Sequence, residues 1–230
     1  MKKTARAYYA DLKDDYSAKI RQLVPKYDEM VECIVQLLRL RAPRSVLDIG
    51  AGIGNVTARV VESIPEARVT ALEASDEMFR EAQANLEPAA DRVRLVHQDI
   101  VDFEPRERYD AVFTNLVLHN IAPHDRRRVL EKLYDWLEPG GTFVWGEYIR
   151  HPDDLVHQYF IEYRKTFAGA AGCSEELVRQ SFEKEATDDH PPSVEDMLNE
   201  GRAAGFSHAF PVWAHDTFAV CCLHKAGPTD

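Results

Sequence analysis

The sequence predicts an α/β domain built on a mostly parallel sheet, and three observations carry that expectation. Ser45 to Thr57 reads SVLDIGAGIGNVT, an apolar strand that stops at a glycine turn and passes into a helix. Further short apolar segments, Arg68 to Leu72, Arg92 to His97, Tyr109 to Phe113 and Thr142 to Trp145, alternate with segments of helical periodicity. At 230 residues and 45% hydrophobic content the chain buries one core with an insertion, leaving little room for a second domain, so residues 1–230 are expected as a single unit.

Thr4 to Tyr16 is polar with Tyr8, Tyr9 and Tyr16 interspersed, and is expected to be a short helix lying over another part of the chain as a flap rather than a core element. Pro25 interrupts the pattern. Asp28 is placed to cap a helix whose Val31, Ile34, Val35 and Leu38 share one face as far as Arg41, and Pro43 ends it. Residues 1–42 thus read as an N-terminal helical cap. Tyr27, at its break, either reaches a ligand or packs half-buried.

In the glycine turn Gly50, Ala51, Gly52 and Gly54 let backbone amides approach a polar or anionic ligand, and Val56, Val60, Val61 and Ile64 continue as a helix. The next strand ends at Glu73, 23 positions beyond Gly50, where nucleotide-binding folds place a carboxylate on ribose hydroxyls. Ser75 or Asp76 caps the helix that follows Ala74, and its Met78 touches an adenine or belongs to the core. Asp99 and Ile100 follow the third strand, where a carboxylate can accept from an exocyclic amine. After the fourth strand, Asn115 is placed to hold a ligand's amino group. His119 is the titratable residue of that run, either a general base or a packing histidine.

Asp125 begins a helix with Val129, Leu130, Leu133 and Trp136 inward, stopped by Glu138-Pro139-Gly140-Gly141 before the fifth strand. From 150 to 192 the α/β rhythm is interrupted. Asp154 starts a helix carrying Val156, Tyr159, Phe160, Tyr163 and Phe167, and Ser174 caps another through Leu177, Val178 and Phe182. This helical insertion is expected to be a substrate lid, with Tyr148, Tyr159, Tyr163 and Phe182 facing the acceptor; the alternative is a packing layer or a homodimer surface. Ser193 with Asp196 forms a capping box, and two closing strands span Phe206 to Trp213 and Asp216 to Leu223.

The formal charge of −11 disfavours a direct nucleic-acid partner. No apolar run suits a membrane span or a signal peptide, so a cytoplasmic protein with no membrane partner is expected. Cys33, Cys173, Cys221 and Cys222 lack C-x-x-C spacing, and no metal is expected.

The dinucleotide fingerprint wants a glycine where this chain has Asn55. With its G-x-G-x-G turn, the acidic ends of the second and third strands and the L-x-P-G-G before the fifth, the chain resembles the class I methyltransferases that use S-adenosylmethionine (SAM). It is similar in particular to the carboxy-SAM synthase branch: Val24, Pro25 and Tyr27 match V-P-x-Y, Ser174 and Glu175 match S-E, Ser193 to Glu195 match S-V-E, and Ala204 to Phe206 match A-G-F. The resemblance implies a Rossmann-like doubly wound sheet of seven strands, six parallel with the seventh antiparallel. It also implies SAM contacts at Tyr27, Gly50, Ala51, Gly52, Glu73, Ala74, Asp99, Ile100 and Asn115. That branch's carboxylate-binding arginine falls on Phe182 in an ungapped alignment, with Arg179 the nearest substitute, so plain SAM is the expected ligand. The N-P-P-aromatic motif of methyltransferases acting on base or glutamine nitrogens is missing. The expected activity is methyl transfer to a small molecule; the alternatives are a carboxy-SAM synthase-like enzyme and a non-catalytic SAM-binding protein. A nicotinamide oxidoreductase is weakened by Asn55.

Overall fold

The computed structural model describes residues 16–228, so the helix expected over Thr4 to Tyr16 lies outside the described residues except for Tyr16. Two helices, α1 (Tyr16–Leu23) and α2 (Tyr27–Arg41), come first, joined by a turn in which Lys26 has φ 60°. Asp28 does not cap α2, because the helix starts one residue earlier; its carboxylate accepts instead from Arg21 Nε of α1. Met30, Val31, Ile34, Val35 and Leu38 recur at helical spacing and are buried, which sets the inward face of α2.

The chain continues through β1 (Ser45–Ile49), α3 (Asn55–Ser63), β2 (Arg68–Glu73), α4 (Asp76–Leu86), β3 (Val93–His97), β4 (Tyr109–Asn115), α5 (Pro123–Trp136) and β5 (Leu137–Tyr148). The helices α6 (Asp154–Ala170), α7 (Glu175–Asp188) and α8 (Val194–Ala203) precede β6 (His208–His215) and β7 (Phe218–His224). The sheet order is β3-β2-β1-β4-β5-β7-β6. Strands β1 to β5 pair in parallel, and β7 enters antiparallel between β5 and β6. This is the doubly wound seven-stranded architecture read from the sequence. Strand order reverses between β1 and β4, the place where open α/β sheets bind ligands.

Alternation along the strands feeds two cores. Val46 of β1, Ala111 and Phe113 of β4 and Val144 of β5 pack with α2 and α3 on one face. Leu47, Ile49, Val112, Phe143 and Trp145 pack with α5 and α8 on the other. A slip of one residue would exchange the two sets, so burial worth about 1.5 to 3 kcal/mol per large apolar side chain fixes the register. That register delivers Ile49, Glu73 and Asn115 together at one edge.

The Glu138-Pro139-Gly140-Gly141 segment is part of β5 rather than a free turn. Leu137 pairs with Tyr109 of β4, Gly140 N–H donates to Lys225 O, and Lys225 N–H donates to Gly141 O, so neighbours bridge it on both sides. The caps at Ser75, Ser174 and Ser193 accept from the backbone as their positions suggest, whereas the cap of α6 is Asp153, one residue before Asp154. No helix among the described residues is long and apolar enough to cross a membrane.

Candidate functional site

The strand β1 runs directly into the glycine turn. Gly50 has φ +70° and Gly52 φ +58°, a region that disfavours any Cβ. At Gly50 a Cβ would also lie 2.5 Å from Val117 Cγ2, so the loop after β4 presses against the turn. At Gly52 a Cβ would meet nothing within 4 Å, because Gly52 borders open cavity. Beneath the turn, Asp48 is 2% exposed and accepts a hydrogen bond from Thr57 Oγ1 of α3. Burial pushes its carboxyl up to about 7, opposed by the Thr57 bond and helped by nearby Glu73.

A cavity of about 280 Å³ opens outside the carboxyl ends of β1, β2 and β4, and Gly50, Gly52, Glu73, Ala74, Met78, Asp99, Ile100 and Asn115 all line it. Tyr27 and Ala51 line a side cavity of about 30 Å³ that shares Gly50, Gly52 and Asn115 with it. Ten residues expected from spacing and resemblance therefore surround one connected region. Glu73 accepts from Gly52 N–H at 2.8 Å on one oxygen and from Ser75 N–H at 2.7 Å on the other, which ties the glycine turn to the start of α4. Each carboxylate oxygen keeps a lone pair for a ligand hydroxyl. Burial raises its pKa. Tyr27 is buried at the first turn of α2, and desolvation pushes its phenol up to about 12, so it stays a neutral hydroxyl.

Asn115 Oδ1 is buried and has no hydrogen-bond partner among the described residues. An orphaned carbonyl costs about 1 to 3 kcal/mol, which a ligand ammonium would recover. Gly146 opposite it on β5 is part of the same arrangement, since a Cβ there would lie 2.8 Å from Asn115 Oδ1. These features fit the adenosyl amino-acid ligand that the resemblance implies.

Leu116, held at φ 60°, walls off this cavity from a second one of about 60 Å³. A left-handed backbone at a non-glycine residue costs about 1 to 3 kcal/mol, and such strain gathers at sites. Since one water takes about 10 to 15 Å³ on this measure, the second compartment admits about four to six non-hydrogen atoms. Tyr16 of α1 borders both. His119 and Tyr148 line it from the sheet edge, Arg164 from α6, Ser181, Lys184 and Glu185 from α7, and Asp189 from the loop beyond.

The polar groups of this compartment form a directed chain. Lys184 Nζ donates to Asn120 Oδ1 at 2.8 Å, which assigns the Asn120 amide nitrogen to Val117 O at 3.0 Å and to His119 Nε2 at 3.1 Å. His119 Nδ1–H then donates to Glu147 Oε1 at 2.5 Å. Lys184 also pairs with Asp189, whose other oxygen lies 3.8 Å from His119 Nε2. Desolvation raises the Asp189 carboxyl, against the pull of His119 and Lys184.

Two expectations for the lid are corrected. Tyr159 and Tyr163 are 67% and 43% exposed and border neither cavity, because α6 turns His157, Arg164 and Ala168 inward instead. The inward face is decided by Arg164, whose guanidinium takes two bonds to Glu185 and lies on the rings of Tyr148, Phe182 and Phe218. Phe182 is buried behind Arg164 and lines a separate groove between α6 and α7. Of the four expected acceptor-side residues only Tyr148 lies on the compartment.

Several site residues escaped the reading of the sequence. Asp48 carried a usable signal, a carboxylate interrupting an apolar strand just before the glycines. Arg164, Lys184, Glu185 and Asp189 did not, since charged residues on a helix are normally solvated. Leu116 gave none.

A family model described as a methyltransferase domain matches residues 46–141. The carboxy-S-adenosyl-L-methionine synthase of Shewanella loihica is 30% identical over 208 residues, spanning 86% of this chain and 83% of that protein. Among solved structures, an O-methyltransferase family protein from Burkholderia thailandensis superposes with a TM-score of 0.68 at 16% identity; 98% of this chain is covered, and it spans 64% of that one. DhpI, solved as its complex with SAH, gives 0.64 at 22% identity and covers 97% of this chain and 95% of its own.

Proposed function

The chain belongs to the class I SAM-dependent methyltransferase family, with its similarity extending to the carboxy-SAM synthase branch, and from that premise we propose that it moves the methyl group of SAM to a small-molecule acceptor. The observation that carries this reading is the pair of compartments sharing Leu116 and Tyr16, one built from the glycine turn and the other from titratable groups. SAM supplies an electrophilic sulfonium methyl when bound. The chain's own work is then to hold both partners in line and exclude water, which contributes roughly 7 to 11 kcal/mol. Glu73 takes the ribose hydroxyls, Asp99 the exocyclic amine, Asn115 the ammonium, and Met78 and Ile100 flank the base. In this reading His119 receives the acceptor's proton at Nε2 once the Asn120 amide gives way, while Glu147 holds the opposite nitrogen. Tyr148 borders the acceptor.

The size of the second compartment and the charge of −11 support a small, non-nucleic-acid acceptor. The outward stripe of Leu155, Tyr159 and Tyr163 on α6 supports a homodimer. A second reading, carboxy-SAM synthesis, is favoured by the curated relatives. A non-catalytic SAM-binding role is separated from both by turnover.

The test combines calorimetry and labelled-methyl transfer. Wild type is expected to bind SAM, Glu73→Ala to lose about 30- to 1000-fold in affinity, or roughly 2 to 4 kcal/mol, and a metabolite panel to reveal an acceptor. Equal SAM affinity in both proteins would remove Glu73 from the site, and SAM binding without transfer to any acceptor would favour the non-catalytic role.

A further inference from the structure

Arg164 is 2% exposed, with its guanidinium carbon 4.6 Å from the Phe218 ring centre, 4.9 Å from that of Phe182 and 5.1 Å from that of Tyr148. A cation so enclosed is costly unless paired. Glu185 pairs it with both oxygens, Oε2 to Nη1 at 2.9 Å and Oε1 to Nη2 at 2.7 Å, the two-pronged geometry in which guanidinium and carboxylate bind best. Both residues line the acceptor compartment. A ligand carboxylate arriving there finds the fork occupied.

The remaining charges offer no substitute. Lys184 is held by Asp189 and Asn120, and His119 lies between Glu147 and Asn120. Counting the charged neighbours of the compartment, two cations (Arg164, Lys184) face three carboxylates (Glu185, Asp189, Glu147), so one more anion would deepen an existing surplus. Arg164 Nε is buried and has no partner among the described residues. A single N–H suits one neutral oxygen of an acceptor better than a carboxylate.

We infer that Glu185 is a specificity determinant: it fills the place of a ligand carboxylate at Arg164, so that the site takes SAM and rejects the same sulfonium carrying a carboxylate on its transferable carbon, as in carboxy-SAM. This rests on the SAM reading of the larger cavity.

The test is calorimetric titration of the full chain with SAM and with carboxy-SAM. Wild type is expected to favour SAM by about tenfold or more, and Glu185→Gln to tighten carboxy-SAM by about 10- to 100-fold while SAM changes by less than about threefold. Adding Arg164→Gln should abolish the gain, which a general loosening of the fold would not do. If Glu185→Gln does not fold, the wild-type titration carries the test: a preference for SAM of about tenfold or more supports the assignment, and carboxy-SAM bound as well as SAM overturns it. Intact SAM binding with no gain in the variant, or a wild-type preference for carboxy-SAM, overturns it as well. A wild type that binds neither compound removes the SAM reading, and this inference with it.

Discussion

His119 Nδ1 lies 2.5 Å from Glu147 Oε1, and the two side chains are 6% and 0% exposed. Glu147 accepts three more hydrogen bonds, from His119 N–H, Trp145 Nε1–H and Tyr148 N–H. Four donors converging on one carboxylate fix the His119 ring and its tautomer, leaving Nε2 as the nitrogen turned toward Asn120 and Asp189.

Replacing Glu147 by Gln would set an amide's two N–H groups among those four donors. We expect about 2 to 4 kcal/mol of destabilisation, seen as a melting temperature lower by about 5 to 15 °C. His119→Ala should leave SAM affinity near wild type and lower turnover per folded molecule by about 10² to 10⁴. Single-turnover transfer on the folded fraction checks this; an unchanged rate would make His119 a packing residue.

The two glycines of the turn should separate strain from ligand contact. Gly50→Ala meets Val117 as well as an unfavourable φ, and is expected to destabilise the apo protein by about 2 to 4 kcal/mol. Gly52→Ala pays only the left-handed backbone, about 1 to 2 kcal/mol, yet projects a methyl into the cavity. Its SAM affinity should fall by more than its stability. Urea denaturation and calorimetry on both variants would refute the assignment if Gly52→Ala bound SAM like wild type.

Asp48 predicts a pH dependence of stability. Its folded carboxyl titrates near 7 against about 4 in the unfolded chain, so between those values the folded state holds the extra proton. A raised carboxyl makes stability fall as pH rises from about 4 to about 7, with no further loss above, by a total on the order of 2 to 4 kcal/mol. Asp48→Asn keeps an acceptor for Thr57 and removes the titration. The variant should therefore gain on wild type as pH rises through that window, and a pH-independent difference in denaturation midpoints would contradict it.

What is legible in the sequence follows from range. Gly50, Glu73, Asp99 and Asn115 sit at the ends of strands whose order local pattern reveals, so spacing alone brings them to one cavity. The acceptor compartment joins residues near positions 16, 119, 148, 164 and 185, and no local pattern links these. On α6 the aromatic stripe Tyr159, Tyr163, Phe167 and the true inner face His157, Arg164, Ala168 are rotated apart, Tyr163 and Arg164 by one residue or about 100° of helix. Periodicity favours the stripe. Pairing of Arg164 with Glu185, 21 residues away, decides for the other face.

That rotation of α6 supplies the last prediction. Tyr163 is 43% exposed and outside the compartment, so Tyr163→Ala should change acceptor KM and turnover by less than about twofold, in keeping with the small effects of surface substitutions. Lys184 is buried, and holds both Asn120 and Asp189 against His119. Lys184→Met removes the cation that opposes the desolvation of Asp189, so the Asp189 carboxyl rises further. With Lys184 gone, Asn120 and Asp189 lose the group that holds them beside His119 Nε2, and turnover should drop by about 10-fold or more with SAM affinity intact. Measuring both variants with an identified acceptor decides between the two helix faces: a large loss in Tyr163→Ala beside a normal Lys184→Met would return the acceptor to the outer, aromatic side of α6.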